Sequence, residues 1–288
     1  MPDPHPVNPL PEWTIDQSDQ GGHYVSISAG RYSHNSDGLG EGIVSILFLV
    51  DALYDSSPGD FVVIDEPELS LHPKYQKRIL RLFGELSKDR QIVYATHSPY
   101  LVDLGFVLNG ASVARVYKVK TSSKISQAKQ ETVEKLRGMM KDLNNPHALG
   151  LDARETFFQD DGVVVLEGQE DVVHYRFVLD HLVGEGALGG EDASALEDCF
   201  FGWGAGGATK IEIILSLLKD LGFTKVAAIF DNNERRRMLK VQKMFSAFCI
   251  DAIPADDVRT KIKRAGKGCD SRMAIIWVMQ RLPGLRMS

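Results

Sequence analysis

The stretch that most constrains this chain is Phe61-Val62-Val63-Ile64-Asp65-Glu66-Pro67-Glu68. Four apolar residues, mostly β-branched, run into two adjacent carboxylates and then a proline. A short continuous apolar run of this kind reads as a strand buried on both faces, at the centre of a parallel sheet. Pro67 ends the strand, so Asp65 and Glu66 fall at its carboxyl end, where open α/β sheets hold ligands. Two acids there suit magnesium–nucleotide chemistry, one holding a metal through water and the other polarising an attacking water. Taken alone, such a pair is more often a solvated strand end.

Around this strand the chain alternates between strand and helix patterns. Residues 1–22 are proline-rich and read as a tail. His23 to Ala29 alternates like a half-buried strand. The polar, glycine-rich stretch Gly30 to Gly42 opens an apolar helix over Ile43 to Tyr54, and a helical stripe runs from Tyr75 to Leu86. Gln91 to Thr96 predicts a strand ending at His97-Ser98-Pro99, and Val113 to Val119 a further one. From Lys120 to about Gln159 the chain turns charged and helical, with one helix expected over Gln127 to Leu143, and this segment reads as a connector.

A second α/β pattern follows. Gly162 to Leu166 is a strand ending at Glu167-Gly168, with a helix over Asp171 to Val183. A strand near Phe200 leads into the glycine-rich Gly202 to Gly207 and a helix over Thr209 to Leu221. Val226 to Phe230 is a strand ending at Asp231, followed by a helix over Glu234 to Phe248 and a short strand over Cys249 to Ile253. The 288 residues suffice for two such domains in series.

Three features of the first half stand in a fixed order: a glycine loop opening a helix, a strand ending in two acids, and a neighbouring strand ending in histidine. In that order they resemble the ABC-type ATPase core of the SMC and RecF-like group, and most nearly the ATPase of OLD-family (overcoming lysogenisation defect) nucleases. The matching residues are Gly40-Glu41-Gly42 as the signature loop, Val63 to Glu68 as Walker B, Leu69 to Pro73 as the D-loop region, and Ala95 to Pro99 around the switch histidine. The resemblance implies that Asp65 helps hold magnesium, that Glu66 orients the hydrolytic water and that His97 senses the γ-phosphate. It further implies that the signature loop contacts ATP bound by a partner. Glycine amides at a helix start make an anion site, so that role is physically sound. No Gly-x4-Gly-Lys-Ser/Thr occurs in the chain. Either the first half of such an ATPase lies on another polypeptide or it has been lost, and ATP hydrolysis by this chain alone is not expected.

The second half places acids at the carboxyl ends of two strands: Glu167, with Asp171 one helical turn on, and Asp231, with Asn233 and Glu234 just after. Acids from neighbouring parallel strands can converge on the divalent ions that in-line phosphoryl displacement needs. Singly, Asp171 is a first-turn helix acid and Asp231 a helix cap. Together, Val165 to Asp171 and Ile229 to Asn233 resemble the TOPRIM domain shared by topoisomerases, primases and OLD-family nucleases. Gly204 to Ala208 and Asp256 to Lys261 also look like segments of OLD-type TOPRIM domains. The resemblance implies Glu167, Asp171 and Asp231 as metal ligands for Mg²⁺ or Mn²⁺. It implies Lys261, with Lys267 second, as the basic residue that offsets transition-state charge. In the family's Asp-x-Asp the third position is acidic, whereas here it is Asn233, which can ligate a hard metal but adds no charge.

Net charge is −6 overall, yet Lys225 to Arg272 holds twelve Lys/Arg against six acids, a local +6. Arg235-Arg236-Arg237 lies beside the second acid motif, where phosphate contacts would be useful. Cys199, Cys249 and Cys269 are widely spaced, with no CxxC, which argues against both a disulfide framework and a zinc site. No apolar run reaches bilayer length and no signal peptide is visible, so the expected location is cytoplasmic.

The expected fold class is thus α/β: residues 23–120 as the carboxyl part of an ABC-type ATPase domain lacking its P-loop segment, 121–159 as a helical connector, and 160–288 as a TOPRIM domain with a mainly parallel sheet. The function implied is metal-dependent nicking or cleavage of DNA, with ATP regulating through a homodimer or a P-loop-bearing partner chain, and with a role in defence against phage. The alternatives are a catalytically impaired DNA-binding or regulatory subunit of a larger complex, and cleavage of RNA at the same site.

Overall fold

The computed structural model describes residues 12–19, 21, 23–29, 31–35, 40–140, 151–159, 162–187, 201–254 and 256. The chain is α/β with parallel sheets, and it divides into two compact units, Met1–Leu101 and Val102–Ser288.

In the first unit, β1 (Glu12–Gln17), β2 (His23–Ala29) and β3 (Tyr32–Asn35) form an antiparallel three-stranded sheet. The expected tail therefore contains a strand: Trp13 to Gln17 pairs residue by residue with His23 to Ile27. Helix α1 (Glu41–Asp55) follows the glycine loop, and β4 (Phe61–Asp65) pairs in parallel with β5 (Gln91–Ala95). Helix α2 (Pro73–Leu86) starts on a proline, whose missing N–H costs nothing at that position, and His72 Nδ1 accepts from Lys74 N as the cap. Leu49 and Leu53 of α1, with Ile79 and Phe83 of α2, pack on Val62, Ile64, Ile92 and Tyr94. This core lies on one side of the two strands only. Phe61 and Val63 are 61% and 66% exposed, so the expectation that β4 is buried on both faces is corrected. The physical reason is tertiary, since both helices of this unit cover the same face.

The second unit begins earlier than the acid motifs. Helix α3 (Leu104–Leu108), the antiparallel hairpin of β6 (Ala114–Val119) and β7 (Ser122–Gln127), and α4 (Gln130–Met140) all belong to it. The second hairpin strand lies where a charged helical region was expected. Residues 121–140 do not merely connect, because Val133, Leu136 and Met139 are buried in one core with Trp203, Ile211 and Leu215. The start of α4 is tied to the end of a later helix by Asp220, which accepts from Lys129 N (3.1 Å) and Thr132 Oγ1 (2.6 Å).

After α5 (Leu151–Glu155) comes a four-stranded parallel sheet in the order β11-β10-β8-β9, made of β8 (Val163–Leu166), β9 (Phe201–Gly204), β10 (Val226–Phe230) and β11 (Cys249–Ala252). Its helices are α6 (Gln169–Gly184), α7 (Ala208–Asp220) and α8 (Arg235–Met244). Every residue of β8 and β10 is buried, as continuous apolar runs predict. The helix expected from Glu234 instead opens with a 3₁₀ turn over Asn232–Glu234 and ends at Met244.

Candidate functional site

The ATPase-like motifs of the first unit meet at the carboxyl end of β4. Glu66 leaves the strand with φ 46°, a left-handed conformation uncommon for a residue with a side chain, and its N–H still donates to Ala95 O (3.0 Å). Asp65 is exposed, Glu66 is half-exposed, and the His97 side chain is 85% exposed with Nε2 3.8 Å from Glu66 Oε1. Two further contacts hold the loop around His97. Glu68 Oε1 accepts from the His97 backbone N–H (2.5 Å), while the other oxygen of Glu68 is buried with no hydrogen-bond partner. Buried Gln76 donates to Leu71 O (2.7 Å) and accepts from Ser98 Oγ (2.5 Å).

The glycine loop docks on the same segment. Gly40 caps α1, and Ser70 Oγ donates to Glu41 Oε2 (3.0 Å). A Cβ on Gly42 would lie 2.5 Å from Ser70 O, so the closeness of the two backbones requires glycine there. Ser70 is itself left-handed, with φ 59°. The loop from Glu66 to His72 thus touches both the glycine loop and the histidine loop. Glu68 and Ser70 were not singled out by sequence reasoning, although their place within five residues of the acid pair is a usable signal.

In the second unit, β8 and β10 are neighbours, and Asp231 N donates to Glu167 Oε2 (3.3 Å). The two strand-end acids are therefore brought together, with Asp231 only 8% exposed. The side chain of Asp231 does not cap the turn that follows it. A glycine loop closes over Glu167: Ala205 N donates to Leu166 O (2.8 Å) and Gly207 N to Glu167 O (2.7 Å). Gly204 has no room for a Cβ, since Gly168 O would lie 2.6 Å away. Asp171 Oδ2 accepts from Gly168 N (2.7 Å), so one of its oxygens serves the start of α6. Asn233 is exposed on the 3₁₀ turn. Arg235 and Arg236 are exposed, and Arg237 Nε is paired with Glu234 Oε2 (3.1 Å). Lys261 and Lys267 lie outside the described residues. Lys210, missed in the sequence, is buried in the first turn of α7, directly after the glycine loop.

The oxygen donors of Glu167 and Asp231 suit a hard divalent cation. Among the described residues no three His, Cys, Asp or Glu side chains form a group that could hold a metal ion. Also among the described residues, no helix is long and apolar enough to cross a membrane.

An OLD nuclease of Thermus scotoductus is 49% identical over 45 residues, which is 15% of this chain and 8% of the length of that relative. Similar solved structures include an SMC ATPase (17% identity, 48% of this chain and 83% of that chain, TM-score 0.35). Another is the SMC head domain of Pyrococcus furiosus with an extended coiled coil, bound to the C-terminal domain of ScpA (17% identity, 47% and 35%, TM-score 0.36). The family described as "AAA domain, putative AbiEii toxin, Type IV TA system" matches residues 29–103, which hold the glycine loop, the strand-end acids and His97. That stretch is similar to an AAA-type ATPase-family domain.

Proposed function

We propose that the chain is an OLD-type, metal-dependent DNA endonuclease or nickase: a TOPRIM-like catalytic unit joined to part of an ABC-type ATPase domain. The observation that carries this reading is the 3.3 Å contact between Asp231 N and Glu167 Oε2, because it sets acids from two adjacent parallel strands side by side. Glu167 and Asp231 would hold Mg²⁺ or Mn²⁺, with Asp171 and Asn233 as the further oxygen donors. Such an ion, when bound, supplies Lewis acidity to the scissile phosphate and lowers the pKa of an attacking water. Arg235 and Arg236, exposed on the first turn of α8, bind the flanking phosphates. Lys261 is the proposed basic residue that offsets charge at the reacting phosphate.

ATP regulates rather than drives the chemistry in this reading. Asp65, Glu66, His97 and the Gly40–Gly42 loop form half of a nucleotide site, and a second polypeptide segment supplies the phosphate loop. The bare apolar face of β4, with Phe61 and Val63 exposed, supports a missing neighbour, since parallel strands are ordinarily covered on both sides. A role in phage defence is carried over from the resemblance to the OLD family, and a cytoplasmic location is proposed with it.

A second reading is a catalytically impaired DNA-binding or regulatory subunit. It is favoured by Asn233, neutral and exposed, and by the commitment of Asp171 to Gly168. One experiment separates the two. The full chain is incubated with supercoiled plasmid and Mg²⁺ or Mn²⁺, beside Asp231→Ala, and Mn²⁺ binding is followed by electron paramagnetic resonance. The endonuclease reading expects nicking and tight Mn²⁺ binding, both lost in the variant; equal inactivity of the two proteins overturns it.

A further inference from the structure

We infer that α2 of the first unit carries a contact surface for the phosphate backbone of duplex DNA. Lys74, Lys77, Arg78 and Arg81 are all exposed, and at 3.6 residues per turn they fall within one sector of about 100°. The four cations extend about 10 Å along the helix axis. Among the described residues, none of them has a carboxylate within ion-pair distance. The nearby Glu85 is paired with Lys88. The chain as a whole is acidic, at −6, so this concentration of positive charge does not simply follow composition.

The arrangement works against the helix that bears it. Lys74 sits in its first turn, where the macrodipole disfavours cations, and that turn has no acid. Lys74 has cations three and four residues on, as Arg81 has three and four residues back, and each such like-charge pair is repulsive. An anion laid along the sector relieves both terms at once. Tyr75 and Tyr100 flank it, with Arg78 5.9 Å and Lys77 5.2 Å from their respective ring centroids.

Other occupants fit less well. A helix that binds membranes inserts an apolar face, whereas Ile79 and Phe83 of α2 are buried in the unit's own core. The centres of protein interfaces are depleted in charge, and this sector is wholly charged. A regularly charged polymer with no apolar demand is the match, and phosphate contacts of this kind position a duplex without reading its sequence. The inference rests on the nuclease reading only for the choice of polymer.

The test is fluorescence anisotropy of a labelled short DNA duplex with the full chain across a potassium chloride series. The variant carries Lys74→Gln, Lys77→Gln, Arg78→Gln and Arg81→Gln, and circular dichroism confirms its folding. The slope of log affinity against log salt should become shallower by about 3.6, with affinity at least about 10-fold weaker at low salt. An unchanged slope and affinity overturns the proposal. So does a wild-type chain that binds anionic vesicles, poly-glutamate or duplex RNA but not duplex DNA. Plasmid nicking is read on the same preparations. Nicking absent while binding depends on α2 removes the nuclease reading and leaves this surface. Nicking intact while binding depends on Arg235 and Arg236 alone removes this surface and leaves the nuclease reading.

Discussion

Replacing Gly42 by alanine sets two magnitudes against each other. Inside a helix, alanine is favoured over glycine by about 1 kcal/mol. At Gly42, however, the new Cβ would lie 2.5 Å from the Ser70 carbonyl oxygen and 3.5 Å from its carbon. Carbon–oxygen contacts below 3.0 Å are essentially unknown, so the loop must retreat by at least half an ångström. Overpacking of this kind costs roughly 1–3 kcal/mol. The retreat also stretches the Ser70 Oγ–Glu41 Oε2 hydrogen bond, worth about 1 kcal/mol. The net expectation is a first unit less stable by roughly 1–3 kcal/mol. For a unit of 101 residues, that is a fall in melting temperature of about 5–15 °C. Differential scanning calorimetry, with hydrogen exchange to locate the change, measures it. Gly138→Ala in α4 is the control, because a Cβ there meets nothing within 4 Å and it should stabilise by up to about 1 kcal/mol. If Gly42→Ala stabilises as much as Gly138→Ala, the close approach of the two loops is refuted.

Further expectations concern single side chains. Glu68→Ala should speed hydrogen exchange of the His97 amide at least about tenfold, as loss of a hydrogen bond to a carboxylate, worth about 1.5–3 kcal/mol, implies. Glu68→Gln, which keeps an acceptor oxygen, should largely preserve that protection; equal exchange in both variants would refute the clamp. Asp171→Ala removes the acceptor for Gly168 N and should destabilise the second unit by about 1 kcal/mol, measured by urea unfolding. Burial, reinforced by the charge of Asp251, pushes the Cys249 thiol up. Its contribution to stability is full below the ordinary thiol pKa and is lost as pH rises through the raised native value, so Cys249→Ser should flatten the alkaline decline in melting temperature. The thiol should also react with iodoacetamide more slowly at pH 8 than a free cysteine does.

Most strands were legible because their signal is local. Val163 to Leu166 and Val226 to Phe230 are apolar runs closed by an acid, and both are buried as such runs predict. Phe61 to Ile64 has the same composition, yet one of its faces is bare. Burial there depends on what covers the sheet, which no residue of the strand encodes. The β7 strand was missed because Ser122 to Gln127 is polar and takes its conformation from pairing with β6. The approach of Glu167 to Asp231 could be anticipated from two strand ends. The contacts of Glu68 with His97 and of Ser70 with Glu41 each span 29 positions. Such contacts depend on how loops dock, and periodicity carries no trace of that.

The left-handed backbone at Glu66 and Ser70 has a practical consequence for anyone evolving this protein. Each position forgoes roughly 1 kcal/mol that glycine or asparagine would recover. A selection for heat resistance alone should therefore drift toward Gly or Asn at 66 and 70. At 66 that drift discards the acid facing His97; at 70 it discards the hydroxyl that holds Glu41. Hardier variants obtained in this way should lose the Glu66–His97 and Ser70–Glu41 contacts, and the two positions are best held fixed in any such library.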